Sequence, residues 1–466
     1  MLGLSFVRCL VWVAVLLLCH VSVPLAQAKD QKRYEPLCDT TREIRDDIRE
    51  QLIHRVVGSG AFKKVYRGTI RRVSDADPQG ESLGYQFPRP VGGLIPLVYQ
   101  MPSATDAMVY LYCNPAPPGP AYWGTTAYLV SFSYYGLIGL LTGGVEPNAE
   151  MGDSLNQYRL SSTAGPNQLP WGHTSAIITT PDVSSAAVIR SGLQAAGLPP
   201  QAINIQIVPS LMSERIEFGT ALSSSVFVTG FRYRAWGDRR EAEAYADYEE
   251  PVIYLTGSPL SSAPFGTPPR LRRGGKSDQD AMRAPMQAVI RSVQETAARK
   301  GFSFVGQSSM KRMPIMDPEN CFFAFDEQPE RTCLMGSQDI SYGTVDPPLS
   351  EEGMHLVVGV IHAKTDHAEY ASVGFPGDNL NTLDLMGTSE VWAPDVSSPS
   401  RDGLYVLQVS HACPPAEEGE RSRTCLVYPE GGGPYIERVV LEKRTRTGPA
   451  FEDLQSAVVL QFDRRN

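Results

Sequence analysis

Apolar residues recur with helical spacing in two stretches of the chain. The first predicted helix begins at a capping box formed by Thr40 and Glu43. Its apolar stripe repeats every fourth residue at Ile44, Ile48 and Leu52. The second predicted helix begins at a Ser277 cap and ends at Gly301. Its apolar face comprises Met286, Val289, Ile290, Val293 and Ala297.

A βαβ-like unit is predicted between residues 176 and 207. A short apolar strand covers 176–178, and Thr180, Pro181 and Asp182 then favour the start of a helix. That helix extends to Gly197, and isoleucines alternate with polar residues over 203–207. Such alternation is typical of a half-buried strand.

The second half of the chain contains several strand patterns and one main helix. Strands are predicted over 356–362, 404–411, 435–442 and 457–462, with Leu356, Val358 and Val360 on one face of the first. This order favours a mainly antiparallel sheet with one long helix. The predicted fold class is therefore α+β with two domains, the βαβ-like unit lying in the first.

Residues 107–145 contain no charged side chain and many aromatic ones. Aromatic and β-branched residues with glycine breaks are typical of buried strands. The aromatic-rich segment 98–135 thus has two interpretations. Its rings form a core, or they are presented to a sugar or a protein partner.

The N-terminal 28 residues have the pattern of a signal peptide. An apolar run follows Arg8, and Ala26-Gln27-Ala28 matches a small-residue cleavage site. The run is about 15 residues, shorter than the ~20 that a membrane-spanning helix needs. We therefore expect a secreted or extracytoplasmic protein, periplasmic or extracellular, with no stable membrane span in the mature chain.

The predicted domain order is a signal peptide at 1–28, an α+β domain at 29–258, a linker at 259–276 and a second α+β domain at 277–466. Proline, glycine, serine and arginine dominate the linker. Its arginines at 270–273 also match a dibasic processing site, and that alternative stays open.

Six cysteines remain after removal of the signal peptide, and an even number in a secreted chain predicts disulfides. Cys321 and Cys333 have the same spacing as Cys413 and Cys425, and each pair is followed by leucine. We therefore predict the bridges Cys321–Cys333 and Cys413–Cys425, which leave Cys38 to pair with Cys113. Metal binding by these cysteines is disfavoured because no Cys-x-x-Cys pair occurs.

The formal net charge of −9 argues against electrostatic binding to nucleic acid. The partners that remain are an extracellular small molecule, a glycan or a protein. No Asn-x-Ser/Thr sequence occurs, so N-glycosylation is not expected.

Two short motifs resemble catalytic signatures. Residues 58–66 resemble the glycine-rich loop of protein kinases, but Lys63 replaces the third glycine and no other kinase motif follows. Residues 152–155, Gly-Asp-Ser-Leu, resemble the signature of GDSL esterases and lipases. This resemblance implies Ser154 as a nucleophile, although the family's Asp-x-x-His is missing.

Histidines near two strand ends suggest a metal site. His362 and His411 follow predicted strands, and Asp366 and His367 lie close to His362 in sequence. If the two strands are neighbours, these four side chains could bind zinc through neutral imidazoles. The alternative is that they are hydrogen-bonded residues at the rim of the sheet.

The sequence thus favours an extracellular protein with a binding or structural role. The alternative is a secreted hydrolase that uses either Ser154 or the histidine cluster.

Overall fold

A computed structural model describes most of the chain after residue 35. The described residues are 36–74, 80–89, 91–92, 97–133, 149–151, 154–211, 213–236, 238–248, 250–269, 279–316, 336–375, 382–384, 392, 402–413 and 425–465. The predicted signal peptide, Ser277, the arginines at 270–273 and the pair Cys321–Cys333 lie outside these residues.

The fold is mixed α+β, with more sheet than helix, and the described residues divide into two compact units. The described α-helices are α1 (Arg42–Gly58), α2 (Val183–Ala195), α3 (Arg239–Ala246) and α4 (Asp280–Arg299). Strands of the first unit are β1 (Lys64–Ser74), β2 (Gly80–Gln86), β3 (Ala107–Cys113), β4 (Tyr122–Ser131), β5 (Ala149–Glu150), β6 (Leu155–Asn156), β7 (Thr174–Thr180), β8 (Ile203–Ile207), β9 (Val226–Arg234) and β10 (Val252–Thr256). Strands of the second unit are β11 (Phe302–Ser309), β12 (Lys311–Arg312), β13 (Ile340–Val345), β14 (Met354–Val360), β15 (Tyr370–Gly374), β16 (Thr382–Asp384), β17 (Leu404–Ser410), β18 (Cys425–Val427), β19 (Tyr435–Val440) and β20 (Val458–Arg464).

The first unit is built on one ten-stranded sheet. Its strand order is β5-β4-β9-β2-β1-β10-β3-β7-β8, and β6 also pairs with β4. The predicted βαβ-like unit is present, because β7 and β8 are parallel and α2 connects them. Gln206 of β8 donates from its side-chain amide to the carbonyl oxygen of Thr125 in β4 at 3.1 Å. The two ends of the strand order therefore approach each other, and the sheet is curled.

One face of this sheet carries an aromatic core. Tyr110 and Tyr112 of β3 stack at 4.4 Å between ring centroids, and Trp123 of β4 stacks on Phe231 of β9 at 4.8 Å. Each buried ring removes ~150–250 Å² from water, or roughly 4–6 kcal/mol before entropic costs. The core interpretation of the aromatic segment is confirmed for the described rings, since Tyr110, Tyr112, Tyr122, Trp123, Tyr128 and Phe132 are all buried.

The opposite face of β3, β7 and β10 lies under α1 and α2. Ile48, Leu52 and Val56 of α1 are buried there, as the helical period predicts, but Ile44 is 50% exposed. The cap is Thr41 rather than Thr40, and its hydroxyl accepts from the amide of Ile44. The helix therefore starts one residue later than predicted, because Thr40 instead hydrogen-bonds to Thr174 of β7.

A strand is present over 203–207, as the alternating pattern predicts. The residues that it buries, however, are not the ones that the pattern indicates. Asn204 and Gln206 are buried, whereas Ile205 and Ile207 are half-buried. Asn204 receives a hydrogen bond from the amide of Ser161 at 2.8 Å. Polar residues fill this face because the curled sheet brings β8 against hydrogen-bonding groups of the β4 end.

The second unit has three layers. Helix α4 covers one face of the sheet β11-β20-β14-β17-β18, and its predicted apolar face is buried against Leu356, Val358 and Val360. The other face, with Val357 and Leu407, packs on a second sheet ordered β12-β13-β19-β15-β16. Among the described strands of this unit, β17 and β18 form a parallel pair and the other pairs are antiparallel. No described helix is long and apolar enough to cross a membrane.

Two of the predicted disulfides are present. Cys38 is joined to Cys113 with 5.9 Å between Cα atoms, and Cys413 to Cys425 with 5.8 Å. The first bridge ties the segment before α1 to the end of β3. The second closes a short loop between β17 and β18.

Part of the predicted linker belongs to the first unit. The amide of Val183 donates to Ala263, and the amide of Phe265 donates to Pro181. Asp182, the cap of α2, also accepts from the amide of Ala263. Residues 263–265 are therefore held against the start of α2. The domain boundaries themselves stay a prediction.

A buried ion network fastens α1 to the sheet. Glu250, just before β10, accepts from Arg45 at 2.7 Å and also pairs with Arg49. Tyr248 donates to the same carboxylate at 2.8 Å, and Arg49 donates to the carbonyl of Leu111 in β3 at 2.8 Å. Such a network favours one docking position for α1, because a buried charge without its partner is costly.

We expect Glu250→Ala to lower the free energy of unfolding by about 3–5 kcal/mol, because it leaves the buried guanidinium group of Arg45 without a carboxylate and leaves Arg49 with Asp46 alone. Urea denaturation measures the effect. The matched control is Glu50→Ala, which removes the exposed partner of Arg67 at 2.5 Å. That change should cost about 1 kcal/mol or less. Equal effects of the two variants would contradict the role given to the network.

Candidate functional site

The residues singled out from the sequence do not assemble into a catalytic centre. Ser154 is fully buried, and its hydroxyl accepts from Thr126 at 3.2 Å. A substrate cannot reach a buried hydroxyl without rearrangement of the fold. Gly152 and Asp153 of the same motif lie outside the described residues. The structure therefore lends no support to Ser154 as a nucleophile.

The fold separates the predicted zinc ligands for a topological reason. The strands that precede His362 and His411 are indeed neighbours, β14 and β17, but they are antiparallel. The two histidines therefore lie beyond opposite ends of β14, whose seven residues span roughly 20 Å at ~3.4 Å per residue. One ion cannot be shared over that distance, because its ligands lie about 2 Å from it.

Each of the four residues has its own surroundings instead. His362 is buried against Gln279, whose side-chain amide donates to Nδ1 at 2.8 Å, and Nε2 lies 3.5 Å from Glu437. His367 pairs with Glu442 at 3.3 Å, and the His411 ring lies 5.6 Å from that of Tyr428. Asp366 closes a turn in the left-handed conformation. Within the described part of the chain, no group of three or more His, Cys, Asp or Glu could hold a metal ion.

A clamp of polar groups around Asp39 was missed by the sequence analysis. The carboxylate accepts from the amide of Thr174 at 3.0 Å and from the hydroxyl of Thr163, and His173 lies 3.0 Å away. Burial opposes ionisation, but these hydrogen bonds outweigh it and lower the pKa of Asp39. The clamp lies beside Cys38, so it helps the disulfide to hold the N-terminal segment on β7.

The feature best suited to hold a ligand is an open cleft of about 330 Å³ in the first unit. The antiparallel pair β1 and β10 forms one wall, because Lys64 lies opposite Thr256 and the amide of Lys63 donates to the carbonyl of Thr256. We call this feature the lysine cleft. Its lining comprises Lys63, Lys64, Tyr66, Pro102, Thr220, Thr256 and Gly257.

The lining of the lysine cleft is mostly apolar surface, and two lysines contribute to it. Lys63 and Lys64 are exposed, and none of the described lining residues is a carboxylate. Hydroxyl groups of Tyr66, Thr220 and Thr256 add hydrogen-bond donors and acceptors. Ammonium groups repel a metal ion and attract an anion, so this arrangement is suited to a carboxylate or phosphate ligand.

A buried carboxyl group, Asp106, lies directly behind the cleft. Its Oδ2 accepts from the amide of Ser103 and the hydroxyl of Tyr254, both at 3.0 Å, and the cleft residues Thr256 and Gly257 lie close enough to favour its ionised form. Burial raises the pKa of Asp106 to about 6, although these hydrogen bonds counteract the rise. A perturbed carboxyl group beside a cleft is a recurrent property of functional sites.

Sequence reasoning reached only part of this site. Lys63, Lys64 and Tyr66 attracted notice solely through the kinase-like motif, whose Gly58 in fact ends α1. In the sequence, Asp106 is distinguished only as the last charged residue before the charge-free stretch 107–145. Thr220 and Thr256 are distant in sequence from the lysines, and only the fold brings them together.

Comparisons with known proteins do not identify the chain. No protein-family model matches it, and no curated protein matches it. A crystal structure of an uncharacterized protein from Burkholderia cenocepacia aligns with 10% identity over 99% of this chain and 96% of that one, with a TM-score of 0.38. A protein from Vibrio parahaemolyticus aligns with 10% identity over 90% and 96%, with a TM-score of 0.37. We base no conclusion on similarity this low.

The protonation of Asp106 should make the stability of the protein depend on pH. With a pKa of about 6 in the folded state and about 3.9 in the unfolded state, the folded protein holds an extra proton between these values. The contribution of Asp106 to the free energy of unfolding should therefore fall as pH rises from ~4 to ~6, by roughly 2–3 kcal/mol, and then level off.

Urea denaturation of wild type and Asp106→Asn between pH 4 and 7 measures this contribution. Other titrating groups affect both proteins alike, so the difference between the two curves isolates Asp106. We expect the variant to gain stability relative to wild type as pH rises through this window. A difference that does not change with pH would show that Asp106 titrates normally.

Proposed function

We propose that this protein acts outside the cytoplasm as a binding protein and holds a small anionic ligand in the lysine cleft. The observation that carries the proposal is the cleft itself, whose described lining includes two lysines and three hydroxyl-bearing residues and no carboxylate. Its volume of about 330 Å³ suits a ligand the size of a sugar acid or a sugar phosphate.

The extracytoplasmic location is supported by two independent features. The N-terminal segment has a signal-peptide pattern with a cleavage site after Ala28. The bridges Cys38–Cys113 and Cys413–Cys425 are compatible with an oxidising compartment, where disulfides persist. We retain the two-domain organisation with a linker at 259–276 as part of this proposal.

Binding is better supported than hydrolysis. The hydrolase alternative needed an accessible Ser154 or convergent histidines, and the described residues provide neither. The aromatic rings that could have presented a sugar-stacking surface are in the core instead. The lysine cleft is therefore the place where we expect a small molecule to bind.

Isothermal titration at low ionic strength tests the ligand class. Glucuronate and glucose 6-phosphate serve as anionic probes, and glucose is the neutral control. We expect saturable binding of at least one anion, weakening with added salt because exposed charges are screened. Binding of glucose as tight as that of the anions would contradict the proposal.

Charge reversal tests the location of the site. Lys63→Glu/Lys64→Glu should weaken anion binding at least tenfold, because it replaces the attractive charges with repulsive ones. Lys311→Glu, an exposed lysine of the second unit, is the matched control and should change affinity less than twofold. Unchanged binding by the double variant would place the site elsewhere.

N-terminal processing tests the location of the protein. After expression with its own N-terminus in a secreting host, mass spectrometry should find a chain that begins at Lys29. Its six remaining cysteines should be resistant to alkylation without reduction. Ala28→Arg should leave the precursor uncut, because cleavage requires a small residue. A mature chain that retains Met1, or one with free thiols, would rule out this route.

A further inference from the structure

The edge strand β11 of the second unit is unusual in being long and uncharged. Phe302–Ser309 contains eight residues without a charge or a proline. Of the described strands only β20 pairs with it, so its outer edge carries unpaired backbone groups. Natural edge strands are usually protected by lysine, proline or short length, because an open edge can pair with another chain.

Apolar side chains are exposed on the same strand. Phe304 is 47% exposed and Val305 is 58% exposed. The register with β20 shifts between Phe304 and Gly306, which leaves Val305 unopposed. An incoming strand would therefore cover apolar surface as well as pair with the backbone.

One end of β11 is strongly basic. Phe302 lies opposite Arg464, and the amide of Arg465 donates to the carbonyl of Gly301 at 2.9 Å. Lys300 directly precedes this point, and all three cationic side chains are exposed. The acidic neighbours are Asp463, which accepts a hydrogen bond from Ser350, and the exposed Glu351 and Glu352 of the turn before β14. Such a cluster of cations stands out in a chain with a net charge of −9.

We propose that the outer edge of β11 binds an extended polypeptide segment that is apolar in its middle and acidic at its C-terminal end. The segment adds an antiparallel strand, so its C-terminal end lies beside Phe302 and the basic cluster. Backbone hydrogen bonds give affinity, Phe304 and Val305 contact the apolar middle, and the charges set the direction.

The same charges argue against a second copy of this chain as the occupant. An antiparallel copy would place its exposed Lys311 near Lys300 and Arg464. A parallel copy would place two basic clusters side by side. Like charges across such an interface are unfavourable.

A synthetic peptide tests the proposal directly. The probe is Thr-Val-Thr-Val-Thr-Glu-Glu with fluorescein at its N-terminus and a free C-terminus, and fluorescence anisotropy measures its binding. We expect saturable binding, reduced at least tenfold when both glutamates are replaced by glutamine. Two further peptides are N-methylated at the odd-numbered or at the even-numbered amides. Only one of them should lose binding, because alternate amides of a strand point to opposite edges and only one edge faces β11.

Protein variants locate the contact. Arg464→Glu/Arg465→Glu should lower the affinity for the peptide at least tenfold. The control Lys443→Glu changes an exposed lysine elsewhere in the unit and should change the affinity less than twofold. The proposal is overturned if both N-methylated peptides bind normally, if the double variant binds normally, or if the protein dimerises through β11 without binding peptide. The peptide modifications keep the test valid even if a protein variant misfolds.

Discussion

Glu250 connects helix α1 to the centre of the ten-stranded sheet through Arg45 and Arg49. The carboxylate lies just before β10, which runs between β1 and β3. Because none of these charges reaches water, the groups must stay paired, and the position of β10 is fixed by that requirement. The far end of β10 carries Thr256, so the buried ion network and the lysine cleft lie at opposite ends of one strand.

The lysine cleft follows from how that strand ends. Lys63 and Thr256 meet because β1 and β10 are antiparallel, and Gly257 then turns with φ +73°, a conformation that favours glycine. A Cβ at Gly257 would also approach the Lys63 side chain at 3.2 Å. Behind this turn, Asp106 is held by hydrogen bonds from Ser103 and Tyr254. The cleft therefore combines exposed positive charge with a buried carboxyl group whose protonation depends on the fold.

The second unit shows how strand direction decides chemistry. Antiparallel pairing of β14 and β17 separates His362 from His411, which a parallel arrangement would have brought together. His362 consequently lies buried beside Glu437, where it has a structural environment and no access to ligand. The same sheet ends in the uncharged strand β11. Its exposed edge and basic end are the basis for the peptide partner that we propose for this unit, whereas the lysine cleft is the basis for the small ligand proposed for the first unit.

Local patterns in the sequence determined the buried face of α4, the βαβ-like unit and the pairing of Cys413 with Cys425, because each depends on residues close together in the chain. Tertiary structure decided the rest. The exposure of Ile44, the burial of Gln206 and the raised pKa of Asp106 depend on which distant segment covers each residue. A periodic pattern specifies which residues share a face of a helix or strand. Only the tertiary packing specifies whether that face contacts another segment or the solvent.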